Sequence, residues 1–126
     1  STQGVSSAAS DVYKRQEEVA AYIREHYADP ELSISAIAEA FGVSTARLSL
    51  SFKERNRVSP NEYLAILRVE RSKQQLTETE LSIKEIAVNV GYYDASSFIR
   101  RFKQITGVTP LQYRRSKEDT NHGNDA

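Results

Sequence analysis

The sequence predicts an all-α fold of seven helices, and three observations support this fold class. Apolar residues recur at helical spacing, no segment shows the two-residue alternation of a strand, and a two-helix pattern occurs twice in the 126 residues. We expect residues 1–10, which are rich in Ser and Ala, to form a disordered or cloning-derived tail. The first helix is predicted to begin at Asp11 and to stop before Asp29-Pro30.

The repeat appears as matched residues at a nearly constant distance along the chain. Up to the turn glycines that distance is 49, and it relates Ser33-Ile34, Ile37-Ala38 and Gly42 to Ser82-Ile83, Ile86-Ala87 and Gly91. Beyond them it is 50, and it relates Leu48, Phe52-Lys53, Val58, Ser59-Pro60 and Tyr63 to Phe98, Phe102-Lys103, Val108, Thr109-Pro110 and Tyr113. Each copy predicts a short helix, a glycine turn and a longer helix. In the longer helix of each copy, the residues predicted to face the core are Leu48 and Phe52 in the first copy, and Phe98, Phe102 and Ile105 in the second.

Two strong helix-start signals follow the copies. Ser59-Pro60-Asn61-Glu62 and Thr109-Pro110-Leu111-Gln112 each combine a capping residue, a proline at the first helical position and an acid or amide at the third. The first predicts a bridging helix from about Pro60 to Leu76, and the second predicts a short closing helix that ends near Ser116. The predicted organisation is therefore two tandem helix-turn-helix subdomains, 11–58 and 78–116, joined by a long bridging helix within 59–77 and followed by a disordered tail, 117–126.

The charged residues are unevenly distributed along a chain whose formal net charge is zero. Residues 41–117 carry fourteen Lys and Arg against seven Asp and Glu, whereas residues 1–40 carry three against seven. The repeat therefore lies in the basic part of the chain, which favours an anionic partner over a neutral one.

Composition argues against several other functions. The chain has no cysteine and only two distant histidines, His26 and His122, so no thiol chemistry, metal site or cofactor is predicted. Its five scattered glycines form no phosphate-binding loop, and no Ser-His-carboxylate pattern is evident, so we do not expect an enzyme. No apolar run approaches the roughly 20 residues that span a bilayer, and no signal peptide is recognised, so we expect a cytoplasmic protein without membrane contact.

A helix-turn-helix pair is suited to double-stranded DNA, because its second helix fits the major groove while its first crosses the backbone. Two such pairs held by a rigid bridging helix could enter successive major grooves, about 34 Å apart on one face of the duplex. The sequence thus predicts sequence-specific DNA binding by two recognition helices.

The sequence also resembles a known family, the AraC/XylS transcriptional regulators. The resemblance covers residues 31–116 and is most specific in the run from Gly91 to Lys103, GYYDASSFIRRFK, followed by Thr106-Gly107-Val108-Thr109-Pro110 and Tyr113-Arg114. It implies regulation of transcription initiation in a bacterial cell, an asymmetric DNA site and contact with RNA polymerase. We also expect an effector or sensor domain outside these residues.

The resemblance implies which residues contact DNA. Base contacts are expected from both recognition helices, at Ala46, Arg47, Ser49 and Leu50 in the first and at Ala95, Ser96, Ile99 and Arg100 in the second. Arg100 is the main candidate, because arginine can pair with guanine through two hydrogen bonds. Phosphate contacts, for which charge suffices, are expected from Lys53, Arg57, Arg101 and Lys103.

The first recognition helix departs from the family pattern at two positions. Leu50 stands where the family often has arginine, and it could contact a thymine methyl group or pack against a missing partner. Arg57 stands where the second copy has Gly107, so we expect Asn56 to take the left-handed conformation in that turn.

One alternative to DNA binding is a protein-interaction bundle, since amphipathic helices and an exposed Leu50 would also serve a protein partner. Salt dependence separates the two, because DNA binding through phosphates weakens steeply as salt rises.

Overall fold

The computed structural model describes the backbone of residues 17–125 and the side chains of residues 17–118. Over that range the chain is all-α, with seven helical segments and no strand. Residues 17–26 form α1, and the others are α2 (Ile34–Phe41), α3 (Thr45–Asn56), α4 (Pro60–Glu78), α5 (Ile83–Asn89), α6 (Ala95–Thr106) and α7 (Pro110–Asp125). The tail predicted for residues 1–10 and the helix start predicted at Asp11 lie outside the described residues.

The chain divides into two compact units. Within the described residues the first unit contains α1 and Leu32–Leu64, and the second contains Tyr27–Glu31 and the chain from Ala65 onward. The helix α4 begins in the first unit and continues into the second.

In the first unit, α2 packs against α3 to form one helix-turn-helix pair. Both helices begin at a serine cap: the Ser33 hydroxyl accepts from the Ala36 N–H at 3.2 Å, and the Ser44 hydroxyl accepts from the Arg47 N–H at 3.2 Å. The buried apolar side chains of this unit are Val19, Ala20, Ile23, Leu32, Ile37, Ala38, Leu48, Phe52 and Leu64. The predicted inward stripe of Leu48 and Phe52 is thus confirmed.

The turn between α2 and α3 is made by Gly42, at φ 67°. The next amide, Val43 N–H, donates to the Ala38 carbonyl at 3.0 Å and so satisfies a carbonyl at the helix end.

The end of α3 differs from the prediction. Asn56 is the last residue of the helix, and Arg57 takes the left-handed conformation, at φ 70°. The Asn56 side-chain amide donates to the Phe52 carbonyl at 3.2 Å, and the Arg57 N–H donates to the Lys53 carbonyl at 2.8 Å. Both bonds keep Asn56 within the last helical turn, so the left-handed residue comes one position later, as it does at Gly107 in the second copy.

The second unit repeats this arrangement, with α5 packed against α6 and α6 against α7. Its core cluster consists of Val69, Leu76, Ile86, Ala87, Val90, Phe98 and Phe102, with partly buried Tyr27, Leu81, Ile83, Tyr92 and Tyr113 against it. Ile105 was predicted to point inward but is 37% exposed. At 100° per residue it lies at the edge of the stripe set by Phe98 and Phe102, in the last turn of the helix.

Gly91 is constrained more tightly than Gly42. Its φ is 106°, and a Cβ built there would overlap the Tyr27 carbonyl oxygen and the Arg68 guanidinium. Arg68 is itself buried, and it donates from Nε to the Tyr27 carbonyl at 2.8 Å and from Nη2 to the Asp29 carbonyl at 2.9 Å. These bonds tie the segment after α1 to α4 within the second unit.

The closing helix α7 starts with a reciprocal capping box. The Gln112 N–H donates to the Thr109 hydroxyl at 3.1 Å, and the Gln112 side chain accepts from the Thr109 N–H at 3.0 Å. The helix continues to Asp125, although we predicted an end near Ser116 and a disordered tail from 117. Neither proline nor glycine occurs between residues 111 and 122, so no stop signal interrupts its hydrogen bonds.

None of the helices within the described residues is both long enough and apolar enough to cross a membrane.

Candidate nucleic-acid interface

The outward face of α3 is set by the burial of its opposite face. Leu48 and Phe52 are 4% and 0% exposed, so the residues about half a turn away must face solvent. Of the four predicted base contacts, Ala46, Arg47 and Leu50 are exposed, whereas Ser49 is half-buried at the edge of the face. The structure therefore brings three of the four together on one accessible surface.

The outward face of α6 is built in the same way above Phe98 and Phe102, both fully buried. Ser96, Ile99 and Arg100 are exposed, and Ala95, in the first turn, is half-buried. Arg100 lies about 180° around the helix from the midpoint between the two phenylalanines. Its side chain therefore points away from the core, as a base contact requires.

The N-terminus of α6 carries an acidic cap. The Asp94 carboxylate accepts from the Ser97 N–H at 2.7 Å. Hydrogen bonding from the Ser97 backbone and side chain lowers the pKa of this exposed carboxyl below its ordinary value, and the nearby positive charge of Arg100 lowers the pKa further. The cap thus remains ionised at neutral pH and fixes the first turn from which Ser96 projects.

Three of the four predicted phosphate contacts, Lys53, Arg57 and Lys103, are exposed. No side-chain hydrogen bond or ion pair within residues 17–118 engages them. Arg101 differs, because it is half-buried and its Nη1 donates to the Gln104 side-chain oxygen at 3.2 Å. Its guanidinium is thus held along α6, whereas the other three cations are available to an anionic ligand.

A polar cluster beneath the start of α6 supports this face. Tyr92 packs its ring against Phe98 at a centroid distance of 5.7 Å, and the Arg68 guanidinium lies 5.2 Å from the centroid of the Tyr92 ring. The Tyr92 hydroxyl is buried near Arg68 and Arg101, but neither guanidinium is aligned for a well-formed hydrogen bond.

Burial acts in opposite directions on the two groups of this cluster. It raises the pKa of Tyr92, because the phenolate would be poorly solvated, and it lowers the pKa of Arg68 from its ordinary value. Both shifts leave their groups in the usual forms at neutral pH, with tyrosine neutral and arginine charged. The packing of Tyr92 against Phe98 and Arg68 thus supports the start of α6.

Sequence reasoning missed one residue on the α3 face. Glu54 is exposed and lies one helical turn after Leu50, so a ligand that contacts Leu50 also lies near this carboxylate. The i to i+4 spacing from Leu50 is a signal that could have identified it. Its counterpart in the second copy is Gln104.

Within the described residues, no group of three or more histidine, aspartate or glutamate side chains is placed to hold a metal ion. The exposed faces of α3 and α6 offer instead cations, small side chains and two apolar side chains, Leu50 and Ile99. This set suits recognition of a surface that carries both phosphate charge and base edges.

Comparison with known proteins identifies relatives over the same region. The family described as helix-turn-helix domain matches residues 37–116. An HTH-type transcriptional regulator of Bacillus subtilis, YtdP, is 33% identical over 116 residues, which is 92% of this chain but 15% of that protein. The chain thus spans about a seventh of the length of that relative.

Solved structures show the same fold. The C-terminal domain of AraT, a response regulator from Geobacillus stearothermophilus, is 36% identical, with a TM-score of 0.78 over 80% of this chain and 84% of that one. The DNA-binding domain of AdpA, a global transcriptional factor solved in complex with a target DNA, also has a TM-score of 0.78, over 83% of this chain and 94% of that one. At 21% identity this second likeness concerns the fold alone. The family match and the 36% identity to the AraT domain together show that the chain belongs to the AraC-type helix-turn-helix family.

Proposed function

We propose that this chain binds specific double-stranded DNA with α3 and α6 as recognition helices, inserted in successive major grooves, and thereby regulates transcription initiation. The observation that carries the proposal is the exposure of Arg100 opposite the buried Phe98 and Phe102, on a helix whose start is capped. The equivalent face of α3 is also exposed. The role is one of binding and not of catalysis.

Each predicted contact has a physical basis in this proposal. Arg100 would pair with guanine O6 and N7, while Ser96 and Ile99 would read neighbouring base edges with Ala95 beside them. On α3, Arg47 and Leu50 would read bases, with Ala46 and Ser49 flanking them. Lys53, Arg57 and Lys103 would contact phosphates, and Arg101 would do so after exchanging its bond to Gln104.

Family membership and the longer relative YtdP support three further parts of the proposal. A regulator acting on bacterial DNA works in the cytoplasm, and the family resemblance implies a contact with RNA polymerase. An effector or sensor domain would lie in a longer protein, as the 15% coverage of YtdP suggests.

Selection of bound sequences from a random duplex pool tests the central claim. We expect enrichment of one asymmetric site with two half-sites about one helical turn apart. Enrichment of a single half-site would show that only one of the two units recognises a base sequence. No enrichment at all would contradict sequence-specific binding.

Substitution of Arg100 tests its assigned role. We expect Arg100→Ala to weaken binding to the selected site by roughly 5- to 150-fold, the equivalent of about 1 to 3 kcal/mol for an arginine-guanine pair. Binding to random DNA should fall much less, because only one charge is lost. Arg115→Ala on α7 is the matched control, since Arg115 is exposed but lies on neither recognition helix. Equal losses on both DNAs would contradict base reading by Arg100.

A further inference from the structure

The two recognition helices carry different side chains at the same position. The 50-residue offset pairs Leu48 with Phe98 and Phe52 with Phe102, and these four side chains are all buried. The same offset pairs Leu50 with Arg100. Each of these two residues lies about 180° around its helix from the midpoint of the buried pair. Leu50 and Arg100 would therefore reach the same depth in their grooves.

Leu50 is an unusual side chain to leave in water. It is 64% exposed, although it belongs to a helix whose other outward residues are polar or small. At 100° per residue, the exposed Lys53 lies to one side of it and the exposed Arg47 and Glu54 lie to the other, and the exposed Arg57 follows the end of the helix. A protein partner that buried Leu50 through an apolar patch would also have to bury these charges. An anionic surface with a small apolar group at its centre is a better match.

The major groove offers such a group. The C5 methyl of thymine is the apolar feature on the base edges of that groove, and it is surrounded by phosphates that the flanking cations can contact. A leucine side chain has no hydrogen-bonding group, so it cannot pair with guanine as Arg100 can. It can, however, remove this methyl group from water.

We infer, on the basis of the DNA-binding function proposed above, that Leu50 reads a thymine methyl group in the first half-site, at the position where Arg100 reads guanine in the second. The chain would then use one scaffold twice with two different recognition chemistries. The first half-site would be specified by an apolar contact and the second by paired hydrogen bonds.

Deoxyuridine provides a direct test, because it differs from thymidine only by the missing methyl group. Each thymine of the duplex selected from the random pool is replaced in turn by deoxyuridine, and affinity is measured for the 126-residue chain. We expect one replacement in the first half-site to weaken binding about fourfold, the value of one buried methyl-sized group. With Leu50→Ala the same replacement should have no further effect.

Two variants sharpen the assignment. Leu111→Ala removes another exposed leucine, on α7, and should leave the deoxyuridine effect unchanged. Leu50→Arg introduces the side chain of the second copy, and we expect it to change the preferred base pair at that position from T·A to G·C. Because Leu50 is 64% exposed, we expect neither Leu50→Ala nor Leu50→Arg to alter folding.

The outcomes separate this inference from the proposed function. A selected site that binds equally well with every thymine replaced would overturn the assignment of Leu50 and leave DNA binding intact. A deoxyuridine effect that persists unchanged in Leu50→Ala would also overturn it, because another residue would then read the methyl group. If no sequence is selected from the pool, the proposed function and this inference both fail.

Discussion

Arg57 is the one non-glycine residue of the described chain with a positive φ. Its φ of 70° is in the left-handed region, where a Cβ costs roughly 1 to 2 kcal/mol, and the second copy places Gly107 at the equivalent position, at φ 86°. A residue kept in spite of such a cost suggests a function for its side chain. The exposed side chain of Arg57, directly after the end of α3, would supply that function by contacting phosphate.

We therefore predict opposite effects of Arg57→Gly on stability and on binding. The free energy of unfolding should rise by about 1 kcal/mol, because glycine accepts positive φ without a Cβ penalty. Affinity for DNA should fall at the same time. Unfolding in urea and a binding titration measure the two quantities.

The reciprocal change provides the control for stability. Gly107→Ala places a Cβ at positive φ with no atom within 4 Å, so it should lower the free energy of unfolding by about 1 kcal/mol through backbone strain alone. If Arg57→Gly left both stability and DNA affinity unchanged, the account of this residue would be wrong.

At the scale of helices, two arginine side chains donate hydrogen bonds to backbone carbonyls at or just after the C-terminal end of a helix. Arg68 binds the carbonyls of Tyr27 and Asp29 after α1, and Arg114 binds those of Leu76 at 2.9 Å and Thr79 at 3.3 Å near the end of α4. Arg68 belongs to α4, which follows the first repeat, and it binds the segment after α1, which precedes that repeat. Arg114 belongs to α7, which follows the second repeat, and it binds the end of α4, which precedes that one. These bonds give partners to carbonyls in the segments where α1 and α4 end.

The two arginines should differ in their contribution to stability. Arg68→Met leaves two part-buried carbonyls without a partner and removes the group that lies over Tyr92, so we expect a loss of roughly 3 kcal/mol. Arg114→Met should cost only about 1 kcal/mol, because Arg114 is half-buried and water can reach its bond to Thr79. Chemical denaturation of the two variants under the same conditions measures the difference. A larger loss for Arg114→Met would contradict this ranking.

The helices could be predicted from sequence to the extent that their signals are local. The capping boxes at Ser59 and Thr109 and the turn glycines Gly42 and Gly91 depend on a few consecutive residues, and their helix ends were found where expected. Contacts between distant residues could not be predicted in this way. The bonds of Arg68 join residues about 40 positions apart, and no periodic pattern indicates them.

The candidate site shows the same limit. Exposure of Leu50 and Arg100 follows from their position opposite a buried pair, so helical spacing was sufficient to predict it. The left-handed conformation of Arg57 depends on whether Asn56 stays in the last turn, and a single side-chain bond to Phe52 accompanies that outcome. The bond between Arg101 and Gln104 likewise depends on side-chain conformations that spacing alone does not determine.

At the scale of the whole molecule, a net charge of zero is compatible with DNA binding because the charge is unevenly distributed. The basic residues concentrate between residues 41 and 117, whereas both ends of the chain are acidic. An anionic duplex responds to the local charge of the recognition helices more than to the net charge of the chain, since charges more than about 8 Å apart are screened at physiological salt. Binding should therefore be strongly sensitive to ionic strength.

We predict a salt dependence set by the number of phosphates contacted. If Lys53, Arg57, Arg101 and Lys103 each neutralise one phosphate, the logarithm of the binding constant should fall with a slope of about −3.6 against the logarithm of salt concentration. Affinity would then decrease roughly 150-fold between about 50 and 200 mM salt. Lys103→Gln should reduce the slope by about 0.9, whereas Arg115→Gln, on α7, should leave it unchanged.

This measurement also distinguishes the two kinds of partner considered for the exposed face of α3. A protein that buried Leu50 through apolar contact would bind with little dependence on salt, because no condensed counterions would be released. A flat response, unchanged by Lys103→Gln, would therefore favour a protein partner over DNA. A steep response that both glutamine variants reduced equally would retain DNA as the ligand, but it would show that phosphate contacts extend beyond α3 and α6 to α7.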